Sequence, residues 1–119
     1  MAFMTPGVLF IVTSDPRTSP RPAEAVRIAA GVGAWRKVAV TVYLRGPAVL
    51  ALSEFPEELS DGSNFSRYLP LLGESGGLIC AQRDGGLLSS IGHSPVSFLE
   101  TSDDELKALV TKNDYLIHF

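Results

Sequence analysis

Short continuous apolar runs alternate with stretches whose apolar residues recur every three or four positions. Gly7 to Thr13 (GVLFIVT) is a run of β-formers of the kind that suits a strand covered on both faces. The following SDPRTSPRP is polar and holds three prolines, so it predicts a loop. Pro22 to Trp35 predicts a helix, with Pro22 tolerated in the first turn and Val26, Ala29, Ala30 and Gly33 on one face. Lys37 to Leu44 (KVAVTVYL) is the clearest strand, and Pro47 opens a short helical piece through Leu52.

The second half of the chain reads similarly. Asn64 to Glu74 predicts a helix with Phe65, Tyr68, Leu69 and Leu72 on its apolar side, and Pro70 is expected to kink or split it. Gly77 to Ala81 (GLICA) predicts a third strand that ends at Cys80. A glycine- and serine-rich stretch, Gln82 to Pro95, holds one helical turn near Leu87 to Ile91, and Val96 to Leu99 predicts a fourth strand. Ser102-Asp103-Asp104-Glu105 is a capping box at the head of a helix. That helix carries Leu106, Leu109 and Val110 as its buried face and Lys112 near its end, and Tyr115 to Phe119 predicts a last strand.

Strands alternating with helices imply right-handed crossovers and a mostly parallel sheet of about five strands in one α/β domain spanning 1–119. Ligands of such sheets gather beyond the strands' C-terminal ends, which directs attention to Ser14 to Arg21, Arg45 to Pro47, Cys80 to Gly86, and Glu100.

The chain's 119 residues fit a single domain, and 45% hydrophobic residues fit a globular one. So small a domain is only marginally stable alone, and self-association would help it. A net charge of −3 with no basic tract argues against a nucleic-acid partner. The start, Met1-Ala2-Phe3-Met4-Thr5-Pro6, lacks the cationic head and apolar run of a secretory signal, and no apolar stretch approaches the ~20 residues of a membrane span. A single cysteine cannot form an internal disulfide. The expectation is a soluble, cytoplasmic protein without a membrane partner.

Two readings of Cys80 stand side by side. It is a reactive thiol whose thiolate Arg83 would favour, with Arg45 and Arg17 adding to an electropositive rim, or it is a small buried hydrophobe. Similarly, Ser14, Thr18, Ser19 and Arg21 lie before a helix N-terminus, where they form either an anion-binding loop or an ordinary capped one. His93 and His118 are isolated, so no metal site is expected. GxGxxG and GxxxxGK[ST] are absent, and no cofactor is expected.

Over nearly its whole length the chain resembles the DsrE/DsrF/DsrH-like family of sulfur-relay proteins. GVLFIVTSDP with RPAEAVRIAAGV is similar to that family's opening strand and helix, and VYLRGPAVLAL to its second strand, glycine turn and short helix. GGLICAQRDGG is similar to its glycine-strand-cysteine segment, and DELKALVTKNDYLIHF to its last helix and strand. The resemblance implies a three-layer α/β/α domain that assembles as a homo-oligomer (trimer or hexamer) or a hetero-oligomer with sibling subunits. In some members a cysteine of this segment carries sulfane sulfur as a persulfide between donor and acceptor proteins, a sulfurtransferase-like role that would fall here on Cys80. Other members lack the cysteine and serve as structural subunits.

Overall fold

A computed structural model describes residues 5–119. The reading of Met1 to Met4 given above lies outside the described residues. Four segments rich in apolar and β-branched residues, together with a short run at Leu99, form the strands β1 (Gly7–Val12), β2 (Ala39–Leu44), β3 (Leu78–Gln82), β4 (Leu99–Thr101) and β5 (Tyr115–His118). They pair in the order β4-β3-β2-β1-β5, and every pairing is parallel. Three helices join them: α1 (Arg21–Ala34), α2 (Ser63–Glu74) and α3 (Asp103–Lys112). Short 3₁₀ turns cover Gly46–Leu52, Pro56–Glu58 and Leu88–Ser90.

Side-chain parity along the strands separates two unequal cores. Val8, Phe10 and Val12 of β1, Val40, Val42 and Leu44 of β2, and Ile79 and Ala81 of β3 point to one side, where α1 and α2 cover them. The small residues Ala23, Ala29, Ala30 and Gly33 of α1 are buried there, which lets the helix lie close to the sheet. On the other side a much smaller cluster forms around Leu9, Tyr43 and Cys80, with Ile11, Leu106 and Leu109 packed against it. The architecture is therefore three-layer α/β/α, as expected, with α3 alone in the third layer.

The local signals held in most places. The capping box at Ser102 forms in full: the Ser102 hydroxyl accepts from the Glu105 N–H, and the Glu105 carboxylate accepts from the Ser102 N–H. Pro70 does not split α2, which runs unbroken from Ser63 to Glu74. Its first four N–H groups lack an intrahelical partner in any case, but Pro70 lies beyond them. The buried row Phe65, Leu69 and Leu72 holds the helix on the sheet across the missing bond. The fourth strand forms at Leu99–Thr101, later than the expected Val96 to Leu99. Thr101 pairs with Gln82, so β3 also runs on to Gln82.

Candidate functional site

Cys80 is the middle residue of β3, in register with Tyr43 of β2 and Leu99 of β4. This corrects the expectation that it ends the strand. The Gln82 side chain helps prolong β3, because its Oε1 accepts from the Gly46 N–H at 2.9 Å. Cys80 points to the α3 side and is 2% exposed. Burial pushes its thiol up. A hydrogen bond with the Thr101 side chain opposes that rise, and the Glu105 carboxylate adds to it. The group is therefore held as a thiol, the less nucleophilic form.

The arginines expected to favour a thiolate are engaged elsewhere. Arg83 reaches the Glu105 carboxylate and the Glu100 carbonyl, both at 3.3 Å. Arg45 donates to Asp103 and to the Tyr43 hydroxyl, both at 3.1 Å. Arg17 grips Asp15 within its own loop, with its Nη2 2.8 Å from Oδ2. The expected electropositive rim is thus divided among three ion pairs. The physical reason lies in α3: its first-turn acids suit the positive helix end, and two of them also neutralise the arginines at the ends of β2 and β3.

The loop from Ser14 to Arg21 is likewise turned inward. The backbone N–H groups of Thr18 and Ser19 both donate to the Asp15 carbonyl, and the Ser19 hydroxyl accepts from the Arg21 N–H at 3.2 Å. The Arg21 guanidinium lies 5.8 Å over the Phe119 ring, which itself stacks on Phe10. Ser14 is half-buried and Thr18 exposed. Asp15 already supplies a carboxylate to this loop, and Phe119 fills the space between β1 and the start of α1. The hydroxyls and guanidinia do not converge on a shared cradle.

What the site does present is a thinly covered sheet face. A helix with its side chains is about 10 Å wide, whereas five strands at ~4.8 Å spacing span about 24 Å. Accordingly α3 has no fully buried residue. Leu78, Leu99 and Leu116 of the sheet are 44%, 56% and 54% exposed, and Val110 of α3 is 43% exposed. Register places Leu78, Leu99 and Leu116 on the α3 side of the sheet. Between α3 and β3–β4 runs a groove of about 300 Å³, walled by Leu78, Leu99, Cys80, Ala108 and Leu109.

Sequence reasoning had singled out Cys80 and the arginines but missed Tyr43, Thr101 and Glu105 as the groups around the thiol. Parity within β2 and β3 carried a signal for Tyr43. The contacts of Thr101 and Glu105 depend on β4 and α3 arriving beside β3, which no local pattern encodes. Among the described residues, no group of three or more His, Cys, Asp or Glu side chains could hold a metal ion. No described helix is long and apolar enough to cross a membrane.

No family model matches the chain, and no curated protein matches it in sequence. The fold does have a solved counterpart. The crystal structure of the YchN protein from E. coli superimposes with a TM-score of 0.79 at 15% identity, over 96% of this chain and 99% of that one. YchN has a DsrE/DsrF-like fold, and this chain shares that fold.

Proposed function

We propose that this DsrE-like fold works as an assembly subunit, associating with copies of itself through the α3 side of its sheet, rather than by chemistry at Cys80. One observation carries the reading: a single helix with no buried side chain lies over a five-strand sheet, leaving Leu78, Leu99, Val110 and Leu116 open to water on one side. Leu78 and Leu99 lie together on neighbouring strands beside α3, and adjoining exposed apolar side chains are what an association surface offers. Covering them would also strengthen a domain whose second core is small. Sedimentation or light scattering at micromolar concentrations tests it. The expected result is a defined oligomer, unchanged in Cys80→Ala. A monomer throughout that range overturns the reading.

A second reading keeps the sulfur relay, and one observation favours it: Cys80 forms part of the wall of the groove beside α3. In that reaction the Cys80 thiolate attacks the outer sulfur of a donor protein's persulfide. The donor's S–S bond breaks, the donor leaves as a thiolate, and Cys80 holds the persulfide. Incubation with a persulfide donor followed by intact mass measurement tests it. A gain of one sulfur, lost in Cys80→Ala, supports the relay, and no gain under conditions that load a known carrier removes it.

A further inference from the structure

The two edges of the sheet are finished differently. At the β4 edge the Thr101 carbonyl accepts from the Arg83 N–H, so Leu99 and Thr101 face β3 and Glu100 turns its backbone groups outward. That outward carbonyl is taken by the Arg83 guanidinium, and Glu100 itself puts a charge on the strand. At the β5 edge the Phe119 N–H donates to the Ile11 carbonyl, and the Phe119 carbonyl accepts from the Thr13 N–H. Alternation then turns the backbone groups of Tyr115 and Ile117 towards β1 and those of Leu116 and His118 away from the sheet. No other strand pairs with β5. All four of its residues are exposed, with Tyr115 at 64%, Leu116 at 54% and Ile117 at 40%. The strand holds no proline, lysine or carboxylate, the devices that commonly protect an edge from pairing.

We propose that this bare edge pairs antiparallel with β5 of a second copy, about a two-fold axis that passes beside Ile117 and is normal to the sheet. The inference goes beyond the assembly reading, which concerns the α3 face and not the edge. A two-fold contact requires a surface that matches itself after a half-turn. Setting Leu116 opposite the partner's His118, and the reverse, satisfies all four outward N–H and C=O groups. A register centred on Leu116 would set His118 opposite the partner's Asp114, whose N–H already donates to the Gly7 carbonyl. The favoured register also sets Ile117 against the partner's Ile117 and Tyr115 against the partner's Phe119. Both pairs lie on the α1–α2 side, and apolar and aromatic cross-strand pairs stabilise a sheet. Because β5 is exposed along its length, the half-turn brings strand to strand with no helix between them. The axis normal to the sheet keeps each helical layer beside its counterpart, so the two sheets become one continuous sheet.

Amide hydrogen exchange of the unmodified protein tests the pairing. Exchange at Leu116 and His118 should slow at least tenfold as concentration rises through the range of association. Ile117, which donates to β1, should be protected at every concentration. Ile117→Cys in a Cys80→Ala background should form an intermolecular disulfide in high yield under mild oxidation. Facing residues of a non-hydrogen-bonded antiparallel pair have Cα atoms about 4.5 Å apart, within the range of about 4.4–6.8 Å that the bond requires. Glu100→Cys, on the opposite edge, should not cross-link. Ile117→Lys sets two cations face to face and should weaken the contact at least tenfold. A monomeric parent protein overturns both this inference and the assembly reading. An oligomer whose Leu116 and His118 amides stay unprotected overturns the edge pairing alone.

Discussion

Tyr43 and Cys80 stand next to each other across the β2–β3 seam, in register and on the same side of the sheet, and each is almost fully buried. Burial is the leading cause of an upward shift for both groups, and the hydrogen bond from Arg45 to the Tyr43 hydroxyl only partly offsets it. Each group therefore resists ionising in the folded protein. Deprotonation costs more there than in the unfolded chain, so folding stability from this pair is intact below the ordinary thiol value of 9.0. It is lost as pH climbs through the raised folded values. Melting temperature should fall as pH rises above the ordinary thiol value, and Cys80→Ala should remove the earlier part of that fall. Thermal melts of both proteins across the range check this, and identical profiles would contradict it.

Substitution at Cys80 should depend on polarity more than on size. Cys80→Ala should fold and assemble normally. Cys80→Ser puts a more strongly hydrated hydroxyl among Leu9, Leu106 and Leu109, keeps the Thr101 side chain as partner, and should still lose about 1 kcal/mol relative to Cys80→Ala. Urea denaturation of the two variants measures the difference.

Access to Cys80 should depend on how firmly α3 is held. The first turn of α3 is tied to the sheet's C-terminal end by Arg45–Asp103 and Arg83–Glu105, both partly exposed pairs that salt screens. A thiol reagent should label Cys80 slowly in low salt and faster as ionic strength rises. Arg45→Met should speed labelling at low salt, while its cost in global stability stays under about 1 kcal/mol. Labelling rates insensitive to both salt and Arg45→Met would show that α3 is not the cover.

The cap of α3 gives an independent handle on the same helix. Ser102→Ala removes the hydroxyl that accepts from Glu105 and should lose about 1 kcal/mol, because α3 lacks buried side chains to compensate. Hydrogen exchange should show the loosening confined to α3 and β5.

Two glycines should respond in opposite ways to alanine. At Gly62 a Cβ would come within 1.9 Å of the Pro56 carbonyl oxygen, which is backbone and cannot swing aside. Gly62→Ala should therefore lose about 2 kcal/mol or more as the entry to α2 is displaced. At Gly31, within α1, a Cβ meets nothing within 4 Å. Gly31→Ala should gain about 0.5–1 kcal/mol from helix propensity. Denaturation midpoints decide both.

Much of the fold was legible because its determinants are local. The apolar runs at Gly7 and Lys37 declared strands, the small-residue face at Val26 to Gly33 declared a helix that approaches a sheet, and Ser102 with Glu105 declared where α3 begins. Their alternation was enough to infer a parallel sheet with crossovers. The site was less legible. Cys80 was visible as the lone thiol, but whether it ended its strand depended on Gln82 pairing with Thr101, nineteen positions away by sequence number. Whether its neighbours were cations depended on α3 delivering Asp103 and Glu105 to Arg45 and Arg83.

By itself, then, the sequence determined the order and kind of the elements, since backbone preference, side-chain period and capping act over a few residues. Only the tertiary structure decided what surrounds the thiol, because electrostatic surroundings are set by groups that meet in space. It likewise decided that one sheet face is left thinly clothed: three helices must divide between two sides, and two of them pack together on one.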